Sequence, residues 1–388
     1  MVPINARVLL SSRISTRRRQ YGWGITAVLL ALTTNVAVAQ AQNALGTASG
    51  YNLFTLGNAT DTNIDVQGKI AVGGNAVLSS FQTATNITNT NPAADVLIVG
   101  GALSYNGGTA NGNVKVGGAE TGSFTLANGG TLSQNQGTNL PVNFSAEATN
   151  LKSLSNRLAT YDSVATTITP NFNNLVFAAT NSGINYFSIS GANLAQGSSG
   201  LYFYTNGQSL SNVTFIVNVT GTSSFNFPNT SFFMNTVNTY NGLTFINDST
   251  AGKNSSNNLN LASADGARQI LYNVESGIAG FGATTIDGSV LAPLADFNAG
   301  QNGQLYGNFV FKTINQSSSA SSEGHILNNG NFNGYFAGSV PSPAAPEAPS
   351  GTVAVLGIAM TVFGQIRSMR RRRIAVAQKT ETSGVELP

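Results

Sequence analysis

A short motif, in which two glycines follow alternating apolar residues, recurs in the first third of this chain. It stands at 70–76 (IAVGGNA), 97–103 (LIVGGAL) and 114–120 (VKVGGAE), and Gly129-Gly130 marks a similar corner further on. An apolar-x-Val run before a glycine pair is typical of a short strand that ends in a tight corner. Because the spacing varies, the motif favours stacked β coils of unequal length. We therefore predict a mainly β, right-handed β-solenoid-like fold, with a β-sandwich as the structural alternative.

The middle of the chain also has strand periodicity. Within 213–219 (VTFIVNV), odd and even positions are predicted to point to opposite sides, as in a β-strand. Similar runs stand at 202–204, 243–245, 270–274, 289–291 and 305–311. The pairs Asn206-Gly207, Asp265-Gly266 and Asp287-Gly288 separate such runs, and residues of these types accept positive φ angles at corners.

One segment, at about 143–161, breaks the β pattern. Its apolar residues follow helical spacing: Phe144, Ala148, Leu151, Leu154, Leu158 and Tyr161. Asn143 can cap the helix, and Glu147 in the first turn faces the positive end of the helix dipole. We predict a single amphipathic side helix whose leucines cover an apolar surface of the β domain.

The N-terminal residues 1–41 have the three parts of a signal peptide. Arginines precede an apolar region, and Ala37 and Ala39 provide a small-x-small cleavage site. An uncleaved anchor and a twin-arginine signal at Arg17-Arg18 remain as alternatives. We therefore expect the β domain, at 42–338, to be exported.

The C-terminal end reads as a linker, an anchor and a tail. Residues 339–350 are rich in proline, 351–373 combine an apolar helix with the cluster Arg370, Arg371, Arg372 and Arg373, and 374–388 form the tail. The apolar run is short for a bilayer, but flanking polar side chains can snorkel. The arginines are expected to stay cytoplasmic, so the β domain would be an ectodomain anchored in the membrane.

This tail resembles the PEP-CTERM sorting signal. The matching residues are Pro346, Glu347 and Pro349, the apolar run and the arginine cluster. The sequence departs from the pattern because Ala348 stands between Glu347 and Pro349 and the chain continues to Pro388. The resemblance implies an exosortase-type processing enzyme as a partner; a plain membrane anchor is the alternative.

Charge is scarce and unevenly placed. Charged residues make up only 9% of the chain, and most of the basic ones lie at its two ends. Between residues 40 and 350 there are seven Lys or Arg against thirteen Asp or Glu, without a basic cluster. Because phosphate binding needs clustered cations, we predict that nucleic acid is not a partner. The chain has no cysteine, which excludes disulfides and thiol chemistry.

The residues needed for catalysis are sparse. The only histidine, His325, lies in an Asn- and Gly-rich segment, and a structural role is expected for it. Two carboxylate pairs, Asp61/Asp65 and Asp287/Asp296, resemble turn residues more than a hydrolase site. The stretch 61–65 imitates the first half of a calcium loop, but Val66 and Val72 replace the required Gly and Glu. We predict a non-enzymatic protein without a metal or cofactor; a polysaccharide-degrading enzyme is the weaker reading.

Most of the β region resembles the choice-of-anchor A domain. The resemblance covers about 44–336, and its opening blocks are YNLFTLGNAT (51–60) and DVQGKIAVGGNAVL (65–78). Its closing blocks are ILYNV (270–274), GSVLAP (288–293), NGQLYGNFV (302–310) and HILNNGNFNGYF (325–336). It implies an adhesive module displayed at the cell surface. The layout is also similar to ice-binding β-solenoids with one side helix.

Two functions follow as expectations. The first is an adhesin or matrix protein whose polar face, with Tyr and Asn side chains, binds extracellular polysaccharide or a neighbouring cell surface. The rival is ice binding, which rests on the threonines in TATNITNTN: Thr83, Thr85, Thr88 and Thr90. Threonines two apart on a strand share a face, but the same stretch also reads as a polar loop.

Overall fold

The computed structural model describes residues 45–89, 91–170, 172–235, 258–260, 265–315 and 324–327. The predicted signal peptide, linker, anchor and tail lie outside these residues, as does Thr90. Within them the fold is mainly β, as predicted, and its strands form parallel sheets. No helix in this part of the chain is both long enough and apolar enough to cross a membrane.

The strands of the first half are short and follow one another closely. They are β1 Leu53–Thr55, β2 Ala59–Thr62, β3 Ile64–Val66, β4 Ile70–Val72, β5 Ala76–Thr83, β6 Asp95–Val99, β7 Leu103–Ala110, β8 Asn113–Val116, β9 Glu120–Leu126 and β10 Leu132–Ser133. Helix α1, Phe144–Ala159, follows them and continues into a 3-10 turn, Thr160–Ser163.

The described part of the second half contains further strands and one short α-helix. They are β11 Thr166–Thr167, β12 Asn174–Ala178, β13 Gly183–Ser190, α2 Gly191–Leu194, β14 Gly200–Tyr204, β15 Val213–Thr220, β16 Phe225–Asn226, β17 Phe232–Asn235, β18 Asn258–Asn260, β19 Ile270–Val274, β20 Gly280–Asp287, β21 Ser289–Tyr306, β22 Phe309–Asn315 and β23 Gly324–Leu327.

One side of the β domain, here named the helix side, is a continuous parallel ladder. Its strands lie in the order β10-β8-β6-β4-β1-β22-β21-β19-β15-β13-β11. Leu53 of β1 is in register with Phe309 of β22, so an N-terminal strand lies in the middle beside a C-terminal one. Parallel pairing of this kind does not match the sandwich alternative, whose sheets are antiparallel.

A second parallel ladder, here named the open side, runs along the same stack. Its strands are β9-β7-β5-β2-β22-β21-β20-β16, and β3 and β23 extend it at the next corner. Strands β12, β14, β17 and β18 form a separate sheet in which only the last pair is antiparallel. Among the described residues, the long helix α1 packs on the helix-side strands β15, β19 and β21.

The side helix covers the outer surface of the helix side. Asn143 caps it as predicted, accepting from the Ala146 N–H at 3.1 Å. Leu151, Leu154 and Leu158 are buried against outward-pointing strand residues: Phe54, Ala71, Ile98, Ile216, Leu271, Leu291 and Val310. This contact explains why β15 is buried on both faces although its sequence alternates. Burial of about ten apolar side chains at this contact makes the helix an integral part of the domain.

Two asparagines of the helix side hold the C-terminal turns of the helix. The Asn218 side chain donates to the Leu158 carbonyl at 2.8 Å, and Asn273 donates to the Ser155 carbonyl at 3.1 Å. Asn273 also donates to the Asn218 side-chain oxygen at 3.0 Å. Buried amides of this kind satisfy carbonyls at a helix end that the helix itself leaves partly unpaired. The pair therefore fixes where the helix ends on the sheet.

The recurring glycine pairs stack on one another at one corner of the domain. Gly73, Gly100 and Gly117 donate their N–H groups to Thr55, Val72 and Val99 carbonyls at 2.7–2.8 Å. A Cβ on Gly100 would lie 2.3 Å from the Gly73 carbonyl oxygen, and one on Gly117 would lie 2.1 Å from that of Gly100. The pairs therefore exist because successive backbones approach closely, which only glycine permits.

The other predicted corners have mixed outcomes. Asn206 and Gly207 have positive φ, as does Gly288, so two of the Asn/Asp-Gly pairs make the expected turns. Gly129-Gly130 is also a corner, with a φ of 69° at Gly129. The Asp265-Gly266 pair differs from the expected two-residue corner, because it begins a 3-10 helix, Asp265–Gln269. Asp is favourable in the first turn of a helix, so an Asp-Gly pair can also begin a helix and not only a corner.

The glycine stack makes a direct prediction. Gly100→Ala should lower the free energy of unfolding by about 2 kcal/mol or more, because the new methyl group meets a backbone carbonyl that cannot move alone. Gly50→Ala is the matched control, since a Cβ at this position would meet nothing within 4 Å, and it should be nearly neutral. Urea unfolding followed by circular dichroism measures both; equal stabilities would contradict this role of the corner.

Candidate functional site: an uncharged face on the open side

The outward side chains of the open side form rows that cross the strands. The first row contains Thr121, Ser104, Val77, Thr60 and Asn315 in register on β9, β7, β5, β2 and β22. Phe297 of β21 is in register with Ile314 of β22, so the next residue of β21, Asn298, lies beside Asn315. The row then continues to Gly282 on β20 and Asn226 on β16. A second row, beside it, contains Ser123, Asn106, Ser79 and Thr62. We name these two rows the open face.

The open face presents hydroxyl and amide groups without charge. Thr60, Asn106, Thr121 and Ser123 are exposed, and Val77 is 44% exposed at the centre. Neighbouring strands lie about 4.8 Å apart, and alternate residues on a strand lie about 6.6 Å apart. The backbone ladder therefore sets these groups in a regular two-dimensional array that needs no ordering on binding.

Charges lie at the margins of the open face and are paired. Asp296 accepts from the Lys312 ammonium at 3.2 Å and from the Thr313 hydroxyl at 2.7 Å. On the next row, which contains Thr125, Thr109, Gln82 and Asp65, the Asp65 carboxylate accepts from the Thr85 hydroxyl at 2.6 Å. The centre of the face therefore has little electrostatic preference for a charged ligand.

The threonines that motivated the ice-binding reading are not an array. Thr83 ends β5 and points into the core with no exposed surface, whereas Thr85 lies in the turn beyond it. Residues 84–89 contain no strand, so the polar-loop interpretation is confirmed for this stretch.

The residues that do form the array were missed, although the sequence contains a signal for them. Counted from the second glycine of each pair, the third and fifth residues point outward: Val77 and Ser79, Ser104 and Asn106, and Thr121 and Ser123. Thr60 and Thr62 stand at the same distances from the single glycine Gly57. Asparagines are present on the face as expected. Tyr105 and Tyr272, by contrast, are buried in the core.

The candidate catalytic carboxylates do not converge. Asp61 points into the core from β2, whereas Asp65 points outward from β3. Asp287 is in register with Tyr306 at one end of β20, and Asp296 is in register with Gly280 at the other end. His325 lies on β23 with its backbone beside Asp65. Within the described part of the chain, no cluster of three or more His, Asp or Glu side chains could hold a metal ion.

Three carboxyl groups have raised pKa values. Burial raises the pKa of Asp61 to about 8, and the Thr62 N–H, which donates to it at 2.9 Å, offsets only part of this effect. Burial raises the pKa of Asp287 to about 7. Burial, together with a hydrogen bond and the charge of Asp162, raises the pKa of Glu275 to about 8. Asp61 and Asp287 lie inside the domain and Glu275 lies beside the end of α1, so all three act on stability rather than on the open face.

The fold and the face together define a parallel β domain with a broad uncharged surface. The sequence model of a family described as "Putative Ice-binding-like adhesive domain" matches residues 44–322. The chain therefore belongs to this family of ice-binding-like adhesive domains. The choice-of-anchor A and PEP-CTERM resemblances remain predictions.

Solved structures of ice-binding proteins are similar to the chain at low identity. One from the Antarctic ascomycete Antarctomyces psychrotrophicus is 12% identical, with a TM-score of 0.35, over 73% of this chain and 98% of that one. One from an Antarctic biological consortium is 14% identical, with a TM-score of 0.34, over 74% and 88%. A glycosylated one from an Arctic yeast is 14% identical, with a TM-score of 0.30, over 78% and 96%. No curated protein sequence matches the chain.

The buried carboxyl of Asp61 predicts a pH-dependent stability. Its pKa is raised on folding, so its contribution is fully present below the unfolded pKa, near 4, and is lost as pH rises through about 8. We expect the free energy of unfolding to fall over this window by at most about 1.4 kcal/mol per pH unit for this group. Asp61→Asn should reduce the slope, because the amide still accepts from Thr62 but does not titrate.

Asp95→Asn is the matched control for this measurement. Asp95 is half-buried and paired with Lys115 at 2.7 Å, and its replacement should leave the alkaline loss of stability in place. Thermal unfolding between pH 4 and pH 9 compares the three proteins. An unchanged slope in Asp61→Asn would show that this carboxyl is not the source.

Proposed function

We propose that this protein is a non-catalytic adhesive protein, displayed outside the cell, whose open face binds a neutral, hydroxyl-rich polymer. The observation that carries the proposal is the regular array of uncharged hydroxyl and amide side chains on the open side. The scaffold would be a right-handed β-solenoid with one side helix. The i to i+2 pairing of the strands β4 to β9 supports that reading.

A polysaccharide of the extracellular matrix, or of a neighbouring cell surface, is the ligand class that fits the face best. Sugar hydroxyls donate and accept hydrogen bonds, as do the Thr, Ser and Asn side chains of the open face. Each such contact is weak because it replaces bonds to water. A polymer that engages several rows at once gains avidity without any single strong contact. The scarcity of basic residues argues against nucleic acid and acidic polymers.

Export and attachment rest on the sequence. Residues 1–41 have the parts of a signal peptide with Ala37 and Ala39 at its cleavage site, and 351–373 have the parts of an anchor. Both arginine-rich segments would remain cytoplasmic, so the β domain would lie outside. An exosortase-type enzyme would process the tail at the segment that contains Pro346 and Glu347.

Ice binding is the second candidate, and the regular register of the array favours it. The exposed methyl groups of Thr60, Thr121 and Val77 stand among hydroxyls at the spacing of the strands. Thermal hysteresis of the purified protein separates this candidate from adhesion, since polysaccharide binding does not require activity on ice. A polysaccharide-degrading enzyme has less support, because its candidate carboxylates point in different directions.

The open face can be tested by adding charge to it. Thr60→Glu combined with Asn106→Glu should weaken binding to neutral polysaccharides by about tenfold or more, because each carboxylate must be desolvated against uncharged partners. Both positions are exposed, so the fold should tolerate the change. Ser153→Glu on the outer surface of the helix is the control with an added charge and should bind as the wild type does.

Glycan arrays and surface plasmon resonance give the affinities, and thermal unfolding confirms that each variant is folded. Equal losses in the double variant and in Ser153→Glu would indicate a general charge effect and count against this face. Wild-type protein that binds no glycan but shows thermal hysteresis abolished by the double variant would favour ice binding.

The tail makes a separate prediction. If an exosortase-type enzyme acts, protein recovered from the cell surface should lack Arg370, Arg371, Arg372 and Arg373. Intact-mass spectrometry of surface-released and membrane fractions measures this directly. Extracellular protein that still ends at Leu387-Pro388 would rule out the processing, and full-length protein in the membrane fraction alone would indicate a plain anchor.

A further inference from the structure

The parallel stack has two ends whose strands are paired on one edge only. At one end, β9 pairs with β7 and β10 pairs with β8. At the other end, β11 pairs with β13 and β12 pairs with β14. No other described strand pairs with these four. We name the two ends the β9 end and the β11 end.

Backbone groups of the β9 end point away from the domain. The Leu103 N–H donates to the Ala119 carbonyl at 3.0 Å, and the Ala127 N–H donates to that of Ala110 at 2.9 Å. Backbone groups alternate in direction along a strand. On β9, the even-numbered residues between Ala119 and Ala127 therefore direct their N–H and C=O groups away from β7. These are Glu120, Gly122, Phe124 and Leu126. The Glu120 N–H donates to the Gln134 side chain at 3.0 Å, so this end of β9 is partly capped. For the other three, β7 is the only described strand that pairs with β9, and it lies on the opposite edge.

The β11 end has the same property. The Ile168 N–H donates to the Ser188 carbonyl at 2.9 Å, so Thr167 directs its backbone groups away from β13. On β12, the Ala179 N–H donates to the Tyr204 carbonyl at 2.8 Å, which leaves the groups of Val176 and Ala178 pointing outward. Among the described residues, the two ends therefore each present a short row of backbone donors and acceptors that face away from their paired strand.

The side chains at both ends do not block pairing. Proteins normally protect sheet edges with charges, prolines or bulges. The four edge strands contain no proline, and their only charged residue is Glu120 at the start of β9. The pairing of β9 with β7 has one irregularity, between Asn106 and Thr109 of β7, and β10 and β11 are two residues long. At the β9 end, Phe124 and Leu126 are half-buried, and the Phe124 ring stacks on that of Tyr105 at 4.3 Å.

Near β11 in the sequence, two apolar side chains are largely exposed. Val164 is 74% exposed, and Phe172 is 80% exposed with a φ of 49°, which is unfavourable for a bulky residue. Single exposed apolar side chains occur on ordinary protein surfaces. These two therefore serve as probes of a nonspecific apolar contact and are not evidence for strand pairing.

The direction of the strands identifies the partner. The edge strands β10 and β11 belong to one all-parallel ladder, so they run in the same direction. A second copy shifted along the stack would place its β11 beside β10 in parallel and continue the ladder. A twofold contact between two β9 ends would instead require antiparallel pairing. We propose that copies of this chain associate head to tail, with the β9 end of one against the β11 end of the next.

A head-to-tail contact that repeats by a shift along the stack does not close into a ring, so it builds linear chains of molecules. Such chains would repeat the open face along one line and extend the array that a polymer meets. The proposal does not depend on the ligand of that face, because association is measured without any ligand.

Sedimentation velocity of the full chain in a mild detergent tests it, over about a hundredfold range of protein concentration. Wild-type protein should show a series of species that grows with concentration. Phe124→Pro removes an outward N–H at the β9 end, and Val176→Pro removes one at the β11 end. Each variant alone should sediment as a monomer, whereas an equimolar mixture should form dimers and nothing larger, because one intact end remains on each partner.

Phe172→Ser is the control that leaves the edge strands untouched. If it abolishes association as fully as the proline variants do, the contact is a nonspecific hydrophobic association and not strand pairing, and the proposal fails. Thermal unfolding identifies any proline variant that is not folded, and Val176→Lys or Phe124→Lys then replaces it. A wild-type protein that stays monomeric throughout, or a Val176→Pro variant that still dimerises alone, would also overturn the proposal.

Discussion

The parallel backbone ladder of the helix side is the constraint on which the rest of the structure depends. It is complete only when β1 pairs with β4 on one edge and with β22, from the far end of the sequence, on the other. The chain has no cysteine, so neither this seam nor any other contact is held by a disulfide. The glycine corners follow from the ladder, because successive layers there lie too close for a Cβ. The helix follows from it as well, since the outer surface of a parallel sheet is apolar and has to be covered.

The open face is a consequence of the same ladder. Strand pairing fixes the spacing of outward side chains. On a side that is open to solvent, packing does not restrict which residue types occupy these positions. Its central rows contain neither acid nor base, and the nearest carboxylates, Asp296 and Asp65, are already paired. Inside the domain, burial favours the neutral form of a carboxyl group, and it raises the pKa values of Asp61 and Asp287. The surface is thus arranged for many weak, neutral contacts.

Local features of this structure were predictable from the sequence, and long-range ones were not. The cap at Asn143, the leucine stripe of α1 and the turns at Asn206-Gly207 and Gly288 depend on neighbouring residues, and these predictions are confirmed. The pairing of β1 with β22 depends on residues far apart, and no local pattern specifies it. The need for long-range information also explains why Thr83 and Thr85 were wrongly expected to share an exposed strand face. Their spacing fits a strand face, but only the register of β5 shows that Thr83 points inward and that the strand ends there.

Hydrogen exchange followed by mass spectrometry tests the central role of the seam most directly. If the ladder organises the domain, the amides of β1, β4, β21 and β22 should be the slowest to exchange, and β1 and β22 should lose protection together when urea is added. The edge strands β9 to β12 should exchange faster, since each pairs on one side only. Fast exchange in β1 or β22 while the edge strands stay protected would contradict the account.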